Sequence, residues 1–310
     1  MSGKVIATVL AIIGVVAVLL GQAEPNRTGE FEAWMTKFSI KYESKFEEAY
    51  RKRVFHENLA KIEKHNSDEL RTYNMGVNQF TALTDEEFKQ TYLGTIVNED
   101  NIEVANNDDI SVGDVDWVSQ GAVTPIKNQG QCGSCWAFST TGGLEGLSKL
   151  AYGQLKSFSE QQLVDCSGSY GNMGCNGGLM DNAFKYVRDH GIVEESDYAY
   201  TAKKGTCKQN SGPFKISGFT DVSGCTNLAN ALQSRPVSVA VDASNWSHYA
   251  SGVFSNCGAH LNHGVLLVGV SDQSWTVKNS WSASWGEKGF IRLSRGNTCG
   301  ICNKPSYPNK

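Results

Sequence analysis

Asn128-Gln129-Gly130-Gln131-Cys132-Gly133-Ser134-Cys135-Trp136-Ala137-Phe138 brings a thiol, an amide donor and a glycine turn into one short stretch. A thiol attacks as its anion, and a position at the start of a helix favours the anion through exposed backbone N–H groups and the helix dipole. The pattern predicts a helix from about Ser134 or Cys135, so Cys135 stands where that help is available. Gly142, Gly143 and Gly146 lower its intrinsic propensity, which implies that close packing against a neighbour holds it. The thiol also needs a base. Among the histidines, His56 and His65 fall in a cysteine-free front segment, and His190 beside Gly191 reads as a helix C-terminal residue. His248 and His260 stand in polar loop sequence with nothing to fix them. That leaves His263, directly ahead of the apolar run Val265 to Val270.

A register argument gives this histidine a polar partner. If residues 271–273 turn a hairpin centred on Asp272, His263 faces Trp281 and Asn279 is its diagonal neighbour on the same face, roughly 7–8 Å away and within side-chain reach. Asn279 then orients the imidazole, the third role in an arrangement of nucleophile, base and orienter, and Trp281 shields their bond from water.

The 310 residues are 40% hydrophobic, ordinary for a globular chain, which excludes a disordered protein. Val5 to Leu20 is almost wholly apolar, follows Lys4 and ends near Gly21-Gln22-Ala23, so residues 1–23 read as a cleaved secretory signal. The run is shorter than the roughly 20 residues of a membrane span, so no stable membrane anchor is expected. In an oxidising lumen the nine cysteines pair, and an odd number leaves one free. Spacing does not choose among the pairings. Residues 1–110 carry 12 basic and 18 acidic side chains against 16 and 14 in 111–310, and no basic run or basic-aromatic interleaving points to nucleic acid. The scattered histidines form no metal-ligand grouping, and neither a metal nor a cofactor is implied. Sequons at Asn26-Arg27-Thr28 and Asn245-Trp246-Ser247 are acceptors for glycan.

All nine cysteines fall in residues 111–310 and none in 24–110, which marks two functional pieces. In the front piece Trp34, Phe38 and Tyr42 recur every four residues. Glu47, Arg51, Phe55, Asn58, Ile62 and Asn66 then share one helical face. Tyr73, Met75 and Val77 alternate as a strand does. Thr84-Asp85-Glu86-Glu87 opens a helix through Phe88, and Ser159-Glu160-Gln161-Gln162 another toward Val164, each with a capping box. Residues 98–110 are acidic and asparagine-rich, a cleavable linker, with maturation near Ser111 or Val112. Beyond about residue 220 the pattern turns β-rich: Val237 to Val241, Val265 to Val270, Trp275 to Val277 and Phe290 to Leu293.

Cys132-Gly133-Ser134-Cys135-Trp136 matches the nucleophile signature of the papain family of cysteine peptidases. The spacing Glu47 to Asn66, the segment Gly76-Val77-Asn78-Gln79-Phe80 and the segment Asn279 to Gly286 resemble further motifs of cathepsin L-like precursors, and the resemblance runs from about Trp34 to Pro308. It implies an α+β, papain-like two-domain fold: a signal peptide (1–23), an inhibitory helical propeptide (24–111) and a peptidase (112–310) with a helical left part over about 118–220 and a β-barrel-like right part over about 221–310. It implies an endopeptidase, since no insertion resembles an exopeptidase occluding loop. Gln129 is then an oxyanion donor, and Gly177 and Gly178 pair with extended substrate. Leu179, Met180, Ala240, Leu261 and Gly264 line an apolar pocket for the residue two before the scissile bond, with Lys304 at its floor, snorkelling outward. By resemblance Cys132 pairs with Cys175, Cys166 with Cys207 and Cys257 with Cys299; Cys225 and Cys302 have no counterpart in that set, and a fourth bridge between them is our hypothesis. The implied partners are protein and peptide substrates, the chain's own propeptide and cystatin-like inhibitors, for a monomer in a lysosome, digestive vacuole or the extracellular space.

Two positions depart from the family pattern. Ala82 replaces an aspartate tied in the family to pH-triggered processing, which leaves the acid trigger of this chain an open question; Ser282 replaces a glycine, so a small loop adjustment with no loss of chemistry is expected. Two other readings compete: a thiol-disulfide oxidoreductase using Cys132 and Cys135, which lacks a surrounding βαβ pattern, and a non-catalytic inhibitor-like binding protein, against which the presence of Cys135, His263, Gln129 and Asn279 argues.

Overall fold

The computed structural model describes residues 29–97 and 112–310. The leader read over 1–23, the Asn26 sequon, the linker 98–110 and Ser111 lie outside the described residues. The chain divides into two compact units between Lys52 and Arg53. In the first, helix α1 (Glu30–Phe38) buries Phe31 and Trp34 and ends at Ser39 in a left-handed conformation. The four-residue period therefore stops short of Tyr42, whose ring stacks on Phe31 from beyond the helix at 6.3 Å. Lys52 pairs with Glu32 at 2.6 Å.

Helix α2 (Lys45–Asn66) runs through the division and buries Phe55, Asn58 and Ile62, three positions of the predicted face. Its asparagines act as staples. Asn58 Nδ2 donates to the carbonyls of Thr81 (2.9 Å) and Leu83 (2.8 Å), and Asn66 exchanges two hydrogen bonds with the backbone of Met75. Strand β1 (Tyr73–Met75) is shorter than the alternation suggested and pairs antiparallel with β5 (Tyr249–Phe254), so the front piece supplies an edge strand to the following sheet. Helix α3 (Asp85–Tyr92) starts from the expected capping box, closed in both directions between Thr84 and Glu87, and runs a turn beyond Phe88.

In the rest of the second unit, helices α4 (Cys135–Tyr152), α5 (Glu160–Cys166) and α6 (Met180–His190) precede most of the strands. The Ser159 capping box is half made: Gln162 N–H donates to Ser159 Oγ, but the Gln162 side chain turns to Tyr186 and to Val193 N–H instead. With β6 (His263–Val270), β7 (Ser274–Lys278) and β8 (Phe290–Ser294) in the middle, the described strands follow the order β1-β5-β8-β7-β6-β4-β9-β3, with β2 (Val115–Asp116) on β6. This corrects the barrel-like expectation. The edges β1 and β3 (Gly218–Asp221) do not pair, so the sheet stays open. Strand β9 (Pro305–Asn309), between β4 (Val237–Val241) and β3, was not legible because Pro305 and Pro308 argue against a strand. Helix α7 (Cys225–Leu232) also interrupts the β-rich half.

All eight residues of β6 (His263–Val270) are buried because α4 lies against the strand. A Cβ on Gly142 would come 2.9 Å from Leu266, one on Gly143 3.1 Å from Ser238 Oγ, and one on Gly146 3.0 Å from Pro236. The three glycines thus trade helix propensity for approach to the sheet. Ser139 Oγ donates to the Val265 carbonyl at 2.7 Å and Ser238 Oγ to the Ser139 carbonyl at 2.8 Å, which fixes the sliding register of helix on sheet.

Lys127 ties α4 to α5. Its ammonium lies 2.8 Å from Glu145 and 2.6 Å from Glu160, both nearly inaccessible. Burial drives the Glu160 carboxyl toward its neutral form, Lys127 opposes that, and the like charges of Glu145 and Glu195 reinforce it. Removing the Lys127 ammonium strips Glu145 and Glu160 of their direct ion-pair partner and leaves, among the described residues, only the more distant Lys278 to act on them. Lys127→Met is expected to destabilise the protein by about 3–5 kcal/mol in denaturant unfolding with the disulfides intact; a loss under about 1 kcal/mol would contradict this role.

Candidate active site

Cys135 is the first residue of α4, so its side chain stands at the helix N-terminus, and it is wholly buried. The structure joins Cys132 to Cys175, Cys166 to Cys207, Cys225 to Cys302 and Cys257 to Cys299, leaving Cys135 as the free cysteine. With Cys132 locked to Cys175, the two-cysteine redox reading loses its partner thiol. The same bridge, with Gly133 N–H donating to the Cys175 carbonyl at 3.0 Å, ties the nucleophile turn to the Gly174–Gly178 segment.

The hairpin carrying His263 differs instructively from the simple count. Val270 pairs with Trp275 and Gly269 with Thr276, one residue off the predicted sum. A bulge between Leu267 and Gly269 then restores it, giving Leu267↔Val277 and Leu266↔Lys278. The predicted neighbours therefore meet. His263 and Asn279 are joined at 2.8 Å between Nε2 and Oδ1, and Trp281 stacks on the imidazole with ring centroids 4.6 Å apart. Asn279 Oδ1 also accepts from Ser280 N–H at 2.8 Å, which marks it as the carbonyl oxygen, so Nε2 must donate and carry a proton. Nδ1 is left for the thiol, buried and outside hydrogen-bonding geometry to any partner. Burial opposes ionisation of Cys135. Burial is the largest single influence, yet the charge and close approach of the His263 ring, the Gly264 backbone and Thr95 together outweigh it, and the thiol falls from 9.0 to about 7.

Gln129 is fully buried and its amide is fixed at both ends. Oε1 accepts from Ser280 Oγ at 2.7 Å, and Nε2 donates to the carbonyls of Cys132 and Tyr92, both at 2.9 Å. Backbone bonds from Gln129 N–H to Ser280 and from Ser282 N–H to Lys127 join this loop to the asparagine segment. Ser280 carried no signal of its own in the sequence.

The front piece occupies the cleft. Gly178 N–H donates to Gly94 at 2.9 Å, Ile96 N–H to Gly178 at 3.0 Å, and Thr95 N–H to Asn262 at 3.0 Å, a parallel pairing centred on Thr95 and Gly178. Thr95 Oγ1 lies 3.4 Å from Cys135 Sγ. Glycine is required at 178 for a reason the sequence did not give: a Cβ there would sit 2.7 Å from the Trp136 ring and 2.6 Å from Asn172. Phe80 and Phe88 pack edge-on against Trp281, at 5.5 and 5.2 Å between centroids. Residues 92–96 had drawn no functional reading, since their short polar and apolar side chains carry no pattern.

Met180, Ala240 and Leu261 belong to one buried apolar cluster, against which Val97 packs. Leu179 is half-buried at the start of α6, and Gly264 faces Met180 and Thr95. Lys304 does not run free into solvent: its ammonium is 2.9 Å from Asp181 and 3.2 Å from Asp221. Ser282 holds φ at 71°, the left-handed conformation that favours glycine. His248, read as an unfixed loop residue, is only 5% exposed.

Residues 112–309 match the papain family cysteine proteases, and residues 31–88 match the cathepsin propeptide inhibitor domain. The chain belongs to the papain family and is a cathepsin L-like cysteine protease zymogen. It is 48% identical to Cathepsin L 2 of Paramecium tetraurelia, over 89% of this chain and 90% of that protein. It is 43% identical to Digestive cysteine proteinase 1 of Homarus americanus, over 94% and 97%. Its fold superposes on digestive procathepsin L 3 of Tenebrio molitor larval midgut with a TM-score of 0.83 at 40% identity, covering 93% of this chain and all of that one.

Two outcomes are expected. A Cβ at Gly94 would fall 2.1 Å from the Gly133 carbonyl oxygen, backbone tethered by the Cys132–Cys175 bridge. Gly94→Ala should therefore loosen the segment and raise peptide hydrolysis by the unprocessed precursor at neutral pH by about tenfold or more, a change of about 1.4 kcal/mol or more. Ser282→Gly should raise thermal stability by about 1 kcal/mol without altering turnover, because strain leaves while only two long, exposed hydrogen bonds from Ser284 to Ser282 Oγ, at 3.4 and 3.3 Å, are lost.

Proposed function

We propose that Cys135 thiolate, paired with His263 imidazolium, attacks the peptide carbonyl of an extended chain lying along Gly177–Gly178, once residues up to about Ser111 have been removed. The thioester forms as the amine leaves with a proton from His263; water, deprotonated by His263, then hydrolyses it. The observation that carries this reading is the single unpaired thiol at a helix N-terminus beside a histidine whose other nitrogen is bonded to Asn279. Gln129 supplies an oxyanion donor: its side-chain N–H already holds a carbonyl oxygen, that of Tyr92. Trp281 keeps the His263–Asn279 bond dry.

For the residue two before the scissile bond, Leu179, Met180, Ala240, Leu261 and Gly264 form an apolar pocket suited to Leu, Phe or Val. The salt bridges of Lys304 to Asp181 and Asp221 support this, because its charge is already matched and offers an acidic substrate side chain little. We place the protein in the secretory pathway, in a lysosome or digestive vacuole or outside the cell, as a monomer open to cystatin-like inhibitors. Among the described residues no helix is long and apolar enough to cross a membrane, and Asn245, an acceptor for glycan, is exposed.

Purified precursor activated in acid should cleave peptides, and Cys135→Ala precursor should neither convert nor cleave. In processed enzyme Gln129→Ala should lower kcat about 100- to 1000-fold with little change in KM. A peptide library should favour Leu, Phe or Val two before the cleaved bond; strong selection of Asp or Glu there would refute the pocket assignment.

A further inference from the structure

His248 lies on the surface that the propeptide covers. Its carbonyl accepts from Gly76 N–H at 2.8 Å, and the adjoining Ser247 carbonyl accepts from Asn78 Nδ2 at 2.7 Å. The side chain is only 5% exposed, and its Nδ1 is buried with no hydrogen-bond partner. The charged groups that act on the ring come from the propeptide: Asp85 at the start of α3, which favours the protonated form, and Lys61 on α2, which opposes it. Those two pair with each other at 3.2 Å. So the carboxylate nearest in effect is already engaged. A neutral imidazole fits this interface; a cation there lacks an acceptor for Nδ1 and loses its hydration.

We propose that protonation of His248 is an acid trigger that releases the propeptide from the peptidase. It stands in for the acidic residue missing at Ala82, which is buried at the end of the same turn. The trigger rests on the reading of the cleft-filling propeptide as the inhibitor of Cys135. The sign follows from burial. Desolvation lowers the ring from 6.5 to about 4 while the propeptide is in place. Released, the ring meets water and regains its ordinary affinity for a proton. The closed state is therefore fully favoured above about pH 6.5 and progressively loses that advantage as pH falls toward 4. Between pH 7.5 and 5 the linked shift in the open fraction is about 30-fold.

The test uses full precursor and a small epoxide thiol probe. Initial rates of Cys135 labelling are taken before any cleavage is visible, each divided by the rate for the same variant in processed form at the same pH. For wild type the ratio should rise about 30-fold from pH 7.5 to 5, and for His248→Phe and His248→Gln by less than about threefold. His248→Gln keeps a polar side chain without titrating, so agreement of the two variants separates charge from packing. The same steep rise in both would overturn the trigger, as would a flat wild-type ratio. Failure of processed wild type to label at all would overturn the nucleophile assignment, and the trigger with it.

Discussion

The contact between α4 and β6 is the constraint on which the site depends. Cys135 begins the helix and His263 begins the strand, so the distance between thiol and imidazole is set by how the two elements lie together. Gly142, Gly143 and Gly146 let them approach, and the Ser139 and Ser238 hydroxyls fix the register. The same helix carries Glu145, which is held with Glu160 by Lys127, so the charged cluster and the nucleophile share one rigid support. A helix of good intrinsic propensity with bulky residues at those positions would stand further off and separate the pair.

Around this contact the cleft is closed by backbone more than by side chains. Gly94, Thr95 and Ile96 use the polar groups of Gly178 and Asn262, and Tyr92 takes the Gln129 amide. Main-chain pairing of this kind makes few demands on side chains except at Gly94 and Gly178, where a Cβ has no room. What anchors the segment lies elsewhere: Phe80 and Phe88 against Trp281, Asn78 on Ser247, and β1 on the sheet edge. Trp281 therefore serves two faces. One covers the His263–Asn279 bond and the other receives the propeptide.

Much of the chemistry was legible before any fold was known, for identifiable reasons. The nucleophile turn is local in sequence, so residues 128–138 carried Cys135 and Gln129 together. Elimination among few histidines reached His263, and a register count reached Asn279, helped by a bulge that cancelled an error in the turn. His248 went the other way: its neighbours along the chain are polar, and it is buried by residues some 160–190 positions earlier, which no local pattern can report. Strand β9 hid behind two prolines. The open sheet was read as barrel-like because strand number says nothing of whether edges meet.

Residue order alone determined which residue types stand together in the nucleophile turn, where helices start and which face of α2 is inward, since caps and periodicity are short-range properties. Tertiary structure alone decided which carbonyl fills the Gln129 amide, that Lys304 is matched by Asp181 and Asp221, that Ser282 holds a strained backbone, and that Thr95 stands over the thiol. The physical reason is common to all four. Each depends on a pairing between residues distant along the chain or on a backbone angle imposed by packing. Such energies exist only once the chain has closed on itself.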